Sequence, residues 1–180
     1  IAMDNGIKKI YTGKIVEITK HPDADKLQVC QVECLTEEGE PVTKQIVTAA
    51  TNVAVGQIVP VAYHKSRLAD GTEIKKGKLR GVASEGMFCS VAEFGISSDL
   101  VLPEEAQGIY IFPENTPIGL DVKDVLGMND TVYEFELTAN RADCFSMVGL
   151  SREFGMMTNQ KALFPVIMVN ENGESIEGKA

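Results

Sequence analysis

The 180-residue chain contains no tryptophan and only two histidines, His21 and His64. Neither histidine stands at metal-ligand spacing from a cysteine. Four cysteines occur, Cys30, Cys34, Cys89 and Cys144. Cys30 and Cys34 lie close in sequence, but no second Cys/His pair completes a tetrahedral set, so no metal site is expected. Scattered thiols fit a reducing, cytoplasmic setting. No apolar run approaches ~18 residues, which excludes a membrane-spanning helix. Residues 1–6 form a polar tail rather than a signal peptide. The phosphate-cradling glycine motif, GxSxG and HExxH are all missing. Asp23 and Asp25 flank a proline turn and read as turn formers, His21 as a solvent-facing turn residue, and Glu85 as a partner for backbone amides. No catalytic residue and no cofactor site is therefore expected.

Basic residues are also scarce, and unevenly placed. The net charge is −9, which argues against non-specific nucleic-acid binding. Residues 1–80 nevertheless carry 12 Lys+Arg against 10 Asp+Glu, whereas residues 81–180 carry 5 against 16. Lys65, Arg67, Lys75, Lys76, Lys78 and Arg80 fall within sixteen residues. This pattern predicts one basic face on an acidic body. Within it, Lys78-Leu79-Arg80-Gly81 and Ser84-Glu85-Gly86-Met87 combine cations, glycines and a hydroxyl beside an apolar strand end, as a nucleic-acid groove requires. On an extended backbone Lys78 and Arg80 share a face. An edge strand bearing solvated lysines fits the same residues. Residues 7–95 offer only Tyr11, Tyr63, Phe88 and Phe94 for base stacking. Phosphate contact and shape should then dominate, which suits a folded RNA better than a bare single strand.

Alternating apolar residues and regularly spaced turns predict five β segments, at 7–19, 27–35, 44–50, 57–63 and 72–89, the first bending around Gly13. Asp70-Gly71 marks a tight turn. Short helices are expected at 90–95 and 120–126, and a short strand at 108–112. Strands are expected at 131–138 and 164–169. Between them a helix of about fifteen residues is expected, capped by Asp143, with Met147, Leu150, Phe154 and Met157 as its apolar stripe. The fold class is mainly β (α+β overall): a small five-stranded barrel with an appended partial α+β domain.

His21-Pro22-Asp23-Ala24-Asp25-Lys26-Leu27-Gln28-Val29, followed some fifty residues later by Lys78-Leu79-Arg80-Gly81 and Ser84-Glu85-Gly86-Met87, resembles the tRNA-binding OB-fold module. That module occurs in methionyl-tRNA synthetases, in free-standing tRNA-binding proteins and in the bacterial phenylalanyl-tRNA synthetase beta chain. Leu102-Pro103-Glu104-Glu105, Gly119-Leu120-Asp121, Thr138-Ala139-Asn140-Arg141-Ala142-Asp143-Cys144 and Val148-Gly149-Leu150-Ser151-Arg152-Glu153 resemble the beta chain in particular. The turn Ala49-Ala50-Thr51-Asn52 departs from the Cys-Gly-Ala-Pro-Asn type of the family and keeps only its asparagine.

The resemblance implies an OB-fold domain over 7–120 and, over 121–180, part of a further α+β domain of a longer chain. It implies tRNA as partner; the expected phosphate contacts are Lys26, Lys65, Lys75, Lys76, Lys78 and Arg80, with Asn52 and Ser84 as polar contacts or turn residues, and of these Lys78, Arg80 and Ser84 match the family motif. For Asn140, Arg141 and Asp143 an interface or tRNA contact is the alternative to the expected structural role, in which Asp143 caps the helix and Asn140 and Arg141 fix the strand-to-helix loop. For the whole synthetase it implies an α2β2 heterotetramer that uses ATP and magnesium, with catalysis on the alpha chain, and neither DNA nor membrane as partner. Two alternatives stay open: a free-standing tRNA-binding or chaperone-like OB-fold protein, and a structural scaffold that touches no RNA.

Overall fold

The computed structural model describes residues 5–103, 105–169, 173 and 177. Most of the N-terminal tail, Glu104 and most of the polar stretch after Val169 lie outside the described residues. The chain forms two compact units, Ile1–Val132 and Tyr133–Ala180.

The first unit is an antiparallel barrel. Strand β1 (Lys8–Lys20) pairs with β2 (Gln28–Leu35) through its second half and with β4 (Ile58–Arg67) through its first. β2 pairs in turn with β3 (Pro41–Thr48). β1 serves two neighbours along its two edges, and register shifts between Ile15 and Glu17 and between Lys8 and Ile10 kink it on either side of Gly13.

The expected fifth strand over 72–89 is broken into four pieces: β5 (Glu73–Ile74), β6 (Gly77–Leu79), β7 (Val82–Ser84) and β8 (Met87–Phe88). β5 and β8 pair with β4, while β6 and β7 form their own hairpin. The break lies at Arg80-Gly81, whose φ values are 45° and 88°. Two successive positive φ values make a two-residue hairpin turn of the primed kind, which a continuous strand cannot contain.

The barrel closes where β3 meets this broken segment. Glu85 N–H donates to Gln45 O (2.8 Å) and Val47 N–H donates to Ser84 Oγ (3.1 Å). Gly86 lets the same segment lie close against β4: a Cβ there would lie 2.3 Å from Ala62 O.

Strand alternation sets the core. Cys30, Val32 and Cys34 of β2 pack with Ile15, Ile46, Val59, Val61 and Phe88 inside the barrel. β4 is buried on both faces from Ile58 to Tyr63. Its other face, Ile58 and Ala62, packs under Phe94, Phe112, Val122 and Met128. The expected helix over 90–95 is a 3-10 turn at Ala92–Phe94, and the expected strand over 108–112 reduces to one bridge, Ile58 to Phe112. Residues 117–121 lie along β1, where Thr12 Oγ1 donates to Pro117 O (2.8 Å) and accepts from Leu120 N–H (3.0 Å). Helix α1 (Val122–Val125) follows, capped by Asp121. Val122 and Met128 thus belong to the barrel's outer core.

Of the strands expected at 131–138 and 164–169, residues 133–138 and 161–169 form no strand among the described residues, and Thr131 makes an isolated bridge only. Helix α2 (Met147–Thr158) is capped by Ser146, which accepts from Gly149 N–H (3.0 Å), not by Asp143. Its stripe residues Met147 and Met157 are 78% and 80% exposed.

Candidate nucleic-acid interface

His21 organises the interface, and it is buried rather than solvent-facing, at 5% exposure. Its Nδ1 accepts from Asp23 N–H (3.1 Å), which places the ring proton on Nε2. Nε2 then donates to Leu79 O at 3.0 Å. One imidazole therefore closes the turn over residues 22–27 and ties it to the β6–β7 hairpin, 58 residues away. The two sequence motifs meet in space through this bond.

Between them lies an open groove of about 430 Å³, lined by Ala24, Asp25, Lys26, Leu27, Leu79 and Arg80. Lys26 stands on one wall and Arg80 on the other. In OB-fold barrels, the loops between strands one and two and between four and five flank the nucleic-acid face. Here those loops are the His21 turn and the segment carrying β6 and β7. Both cations are exposed. Among the described residues, neither forms an ion pair. Arg80 occupies its wall because its own backbone takes the left-handed conformation, so it does not share a strand face with Lys78.

The remaining expected contacts divide into two groups. Lys65, Lys75, Lys76 and Lys78 are exposed on β4 and the segment that follows it. Lys75 lies 3.9 Å from Glu73, and Lys76 lies 2.9 Å from Glu85. Bonding to Lys76 holds the Glu85 carboxyl below the ordinary glutamate range, and Gln45 N–H adds to the effect. Lys78, opposite Ala83 in the hairpin, forms no ion pair among the described residues.

Asn52 and Ser84 use their polar atoms on the protein itself. Asn52 donates to Ile109 O (2.8 Å) and accepts from Ile109 N–H (3.1 Å), clamping the crossing chain as a strand neighbour would. Ser84 is 4% exposed, accepts from Val47 N–H and donates to Gly86 O (2.9 Å).

Outside the seam runs a relay of side-chain amides. Gln31 Nε2 donates to Gln45 Oε1 (3.1 Å), and Gln45 Nε2 donates to Ala83 O (2.7 Å). Sequence patterning does not identify this relay, since glutamines on the outer face of a strand are ordinary surface residues. Lys9 and Lys44 likewise carry no sequence signal, as they reach the neighbourhood of Lys65 only through the fold. The barrel aromatics are occupied internally: Phe88, Phe94 and Tyr63 are buried, and Tyr11 packs on Tyr63 with ring centroids 4.9 Å apart. Burial raises the Tyr63 phenol, whose O–H donates to Leu35 O (2.7 Å).

In the second unit, Arg141 Nη2 lies 2.9 Å from Asp143 and 2.6 Å from Glu153, joining the segment before α2 to the helix. The guanidinium pulls the Asp143 carboxyl down to about 2. Asp143, Cys144 and Glu153 form the one cluster of metal-capable side chains among the described residues, and Arg141 contacts all three.

Among the described residues, no helix is long and apolar enough to cross a membrane. Residues 10–121 match the family described as "Putative tRNA binding domain". The chain is 47% identical over 161 residues to the phenylalanine--tRNA ligase beta subunit of Clostridium acetobutylicum, covering 89% of this chain and 19% of the relative. It is 43% identical over 175 residues to that of Moorella thermoacetica, covering 97% and 21%. It is 48% identical over 169 residues to that of Staphylococcus epidermidis, covering 94% and 21%. The chain thus spans about one fifth of the length of these relatives.

Proposed function

The chain belongs to the tRNA-binding domain family, and from that premise we propose that it is the tRNA-binding module of a phenylalanine--tRNA ligase beta subunit. The observation that carries the reading is the His21–Leu79 bond, which sets Lys26 and Arg80 on the two walls of one groove. A groove with a cation on each wall and no free aromatic platform suits a folded RNA backbone better than splayed bases. Lys26 and Arg80 make the principal phosphate contacts. Lys78 and Lys65 extend them, while Lys75 and Lys76 contribute less because carboxylates already neutralise them. Asn52 and Ser84 hold the shape on which those contacts depend.

The OB-fold module, expected over residues 7–120, extends through 121–132, which pack on the barrel, and Tyr133 onward belongs to a further domain of the ligase, in which Arg141 fixes the approach to α2. The whole ligase joins phenylalanine to its tRNA with ATP and magnesium, as a heterotetramer with an alpha chain in the cytoplasm. Those activities belong to parts of the assembly beyond these residues. Asp143, Cys144 and Glu153 do not fit magnesium, which takes oxygen ligands and keeps much of its water, because they include a thiol and already hold a guanidinium.

A scaffold without RNA contact is the second reading. It draws on the net charge of −9 and on the carboxylates paired with Lys75 and Lys76. The test is binding of the chain to phenylalanine tRNA and to an unrelated tRNA at about 50 and 200 mM salt. Three or four phosphate contacts should weaken binding roughly 40- to 150-fold across that range. The Lys26→Glu/Arg80→Glu variant should lose binding. Equal affinity for both tRNAs would mean that shape alone is read, and absence of binding at low salt would leave the scaffold reading standing.

A further inference from the structure

A second group of cations lies away from the Lys26–Arg80 groove, at the register shift between β1 and β4. Lys8 faces Arg67 and Ile10 faces Ala62, so Lys9 alone stands opposite the four residues Tyr63–Ser66. Bulges of this kind re-aim side chains. Lys9 (φ 57°) and Lys65 (φ 63°) both adopt the left-handed backbone conformation, which non-glycine residues rarely take and which concentrates at functional sites.

Both line one groove of about 400 Å³ with Lys44, Tyr63, His64, Thr36, Glu37 and Glu38. Lys44 Nζ sits 4.4 Å from the centroid of the Tyr63 ring. His64 Nδ1 accepts from Lys76 N–H (3.2 Å), so its ring proton is on Nε2. An anionic oxygen already occupies the groove: Glu37 Oε1 lies 2.6 Å from Lys9 Nζ, with the two side chains 52% and 40% exposed. An ion pair so exposed is weak, and a stronger anion can displace it.

We propose that this bulge groove is a second phosphate-binding subsite, in which a phosphodiester of the tRNA backbone replaces Glu37 on Lys9 and is also met by Lys44 and Lys65. The subsite rests on the tRNA-binding reading and adds contacts that neither sequence motif contains. Glu37, at the tip of the β2–β3 hairpin, is an internal competitor for the RNA. Three lysines against two glutamates leave the groove only weakly cationic until Glu37 is displaced.

The experiment measures tRNA affinity of the whole chain against salt for four proteins: unmodified, Glu37→Gln, Lys9→Gly/Lys65→Gly and Lys26→Glu/Arg80→Glu. Glycine accepts the left-handed conformation without penalty, so the double glycine variant removes two charges at no backbone cost there. It should keep the melting temperature and flatten the salt slope by about 2, at roughly 0.9 per lost contact. Glu37→Gln should tighten binding several-fold at low salt.

Unchanged slope in the double glycine variant, or unchanged affinity in Glu37→Gln, overturns the subsite. If Lys26→Glu/Arg80→Glu alone loses binding, the subsite falls and the tRNA reading stands. If the unmodified chain binds no tRNA, both fall. Should the double variant lose its fold by circular dichroism, Lys44→Gln carries the test, with an expected flattening of about 0.9 and an unchanged slope as the overturning result.

Discussion

Ser84→Ala separates a framework role from an RNA contact. The hydroxyl is buried, accepts from Val47 N–H at 3.1 Å and donates to Gly86 O at 2.9 Å, across the seam where the barrel closes. Alanine nearly fills the same space, so the cavity contribution is small. What remains is one backbone donor and one backbone acceptor without their partner. Each such group costs about 1–3 kcal/mol when buried, and partial relaxation brings the pair to roughly 2–4 kcal/mol. Against a domain stability of about 5–15 kcal/mol, this is a large fraction. For a unit of this size the melting temperature should fall by roughly 6–12 °C.

Urea unfolding followed by tyrosine fluorescence or circular dichroism would measure it, since the chain lacks tryptophan. The midpoint should drop with the slope unchanged. The salt slope of tRNA binding should also be unchanged, because no charge is removed. Stability within about 0.5 kcal/mol of the parent, combined with lost tRNA affinity, would refute the argument and place the hydroxyl against RNA.

Gly86→Ala puts a Cβ 2.3 Å from Ala62 O, so β8 must separate from β4. The expected cost is about 3 kcal/mol or more, and an unchanged thermal melt would contradict it. The Lys76–Glu85 pair gives the barrel a pH signature. Because the folded Glu85 carboxyl titrates below its unfolded value, its contribution is complete above the unfolded pKa and disappears as pH falls through the folded one. The pair is half-exposed, so the effect should stay under about 1 kcal/mol. Comparing Glu85→Gln with the parent should show a stability gap that is constant near neutrality and closes below about pH 4; a gap that widens in acid would contradict the assignment.

The first four strands were legible, β2 because its alternation has period two, with Cys30, Val32 and Cys34 turned inward as their spacing implies, and β4 because it is a short continuous apolar run buried on both faces. The fifth was not. Nothing in Leu79-Arg80-Gly81-Val82 marks an arginine for positive φ, and with Gly81 beside it in the same conformation the strand becomes a hairpin. The cations were legible as a cluster but not as a surface. Lys26 and Arg80 meet only through His21, and a lone histidine beside a proline carries no signal that it is buried. Asn52 and Ser84 belong to stretches compared with the family, and here their side chains hold its backbone together. The strands expected at 131–138 and 164–169 have suitable apolar residues, but a strand needs a neighbouring edge, and pattern alone cannot supply one.

The thiols have a use beyond packing. Cys30, Cys34 and Cys89 are buried at 1% exposure or less in the barrel, and burial raises all three thiols, Cys30 to about 11. A thiolate-seeking reagent has almost nothing to attack there while the strands stay paired. Cys144 sits in the other compact unit. Labelling kinetics followed site by site would therefore time the opening of each unit within the same molecule. The barrel's cysteines also sample it at two places, β2 and the residue after β8, so a difference between their rates would reveal whether the barrel opens as a whole or unzips from its seam.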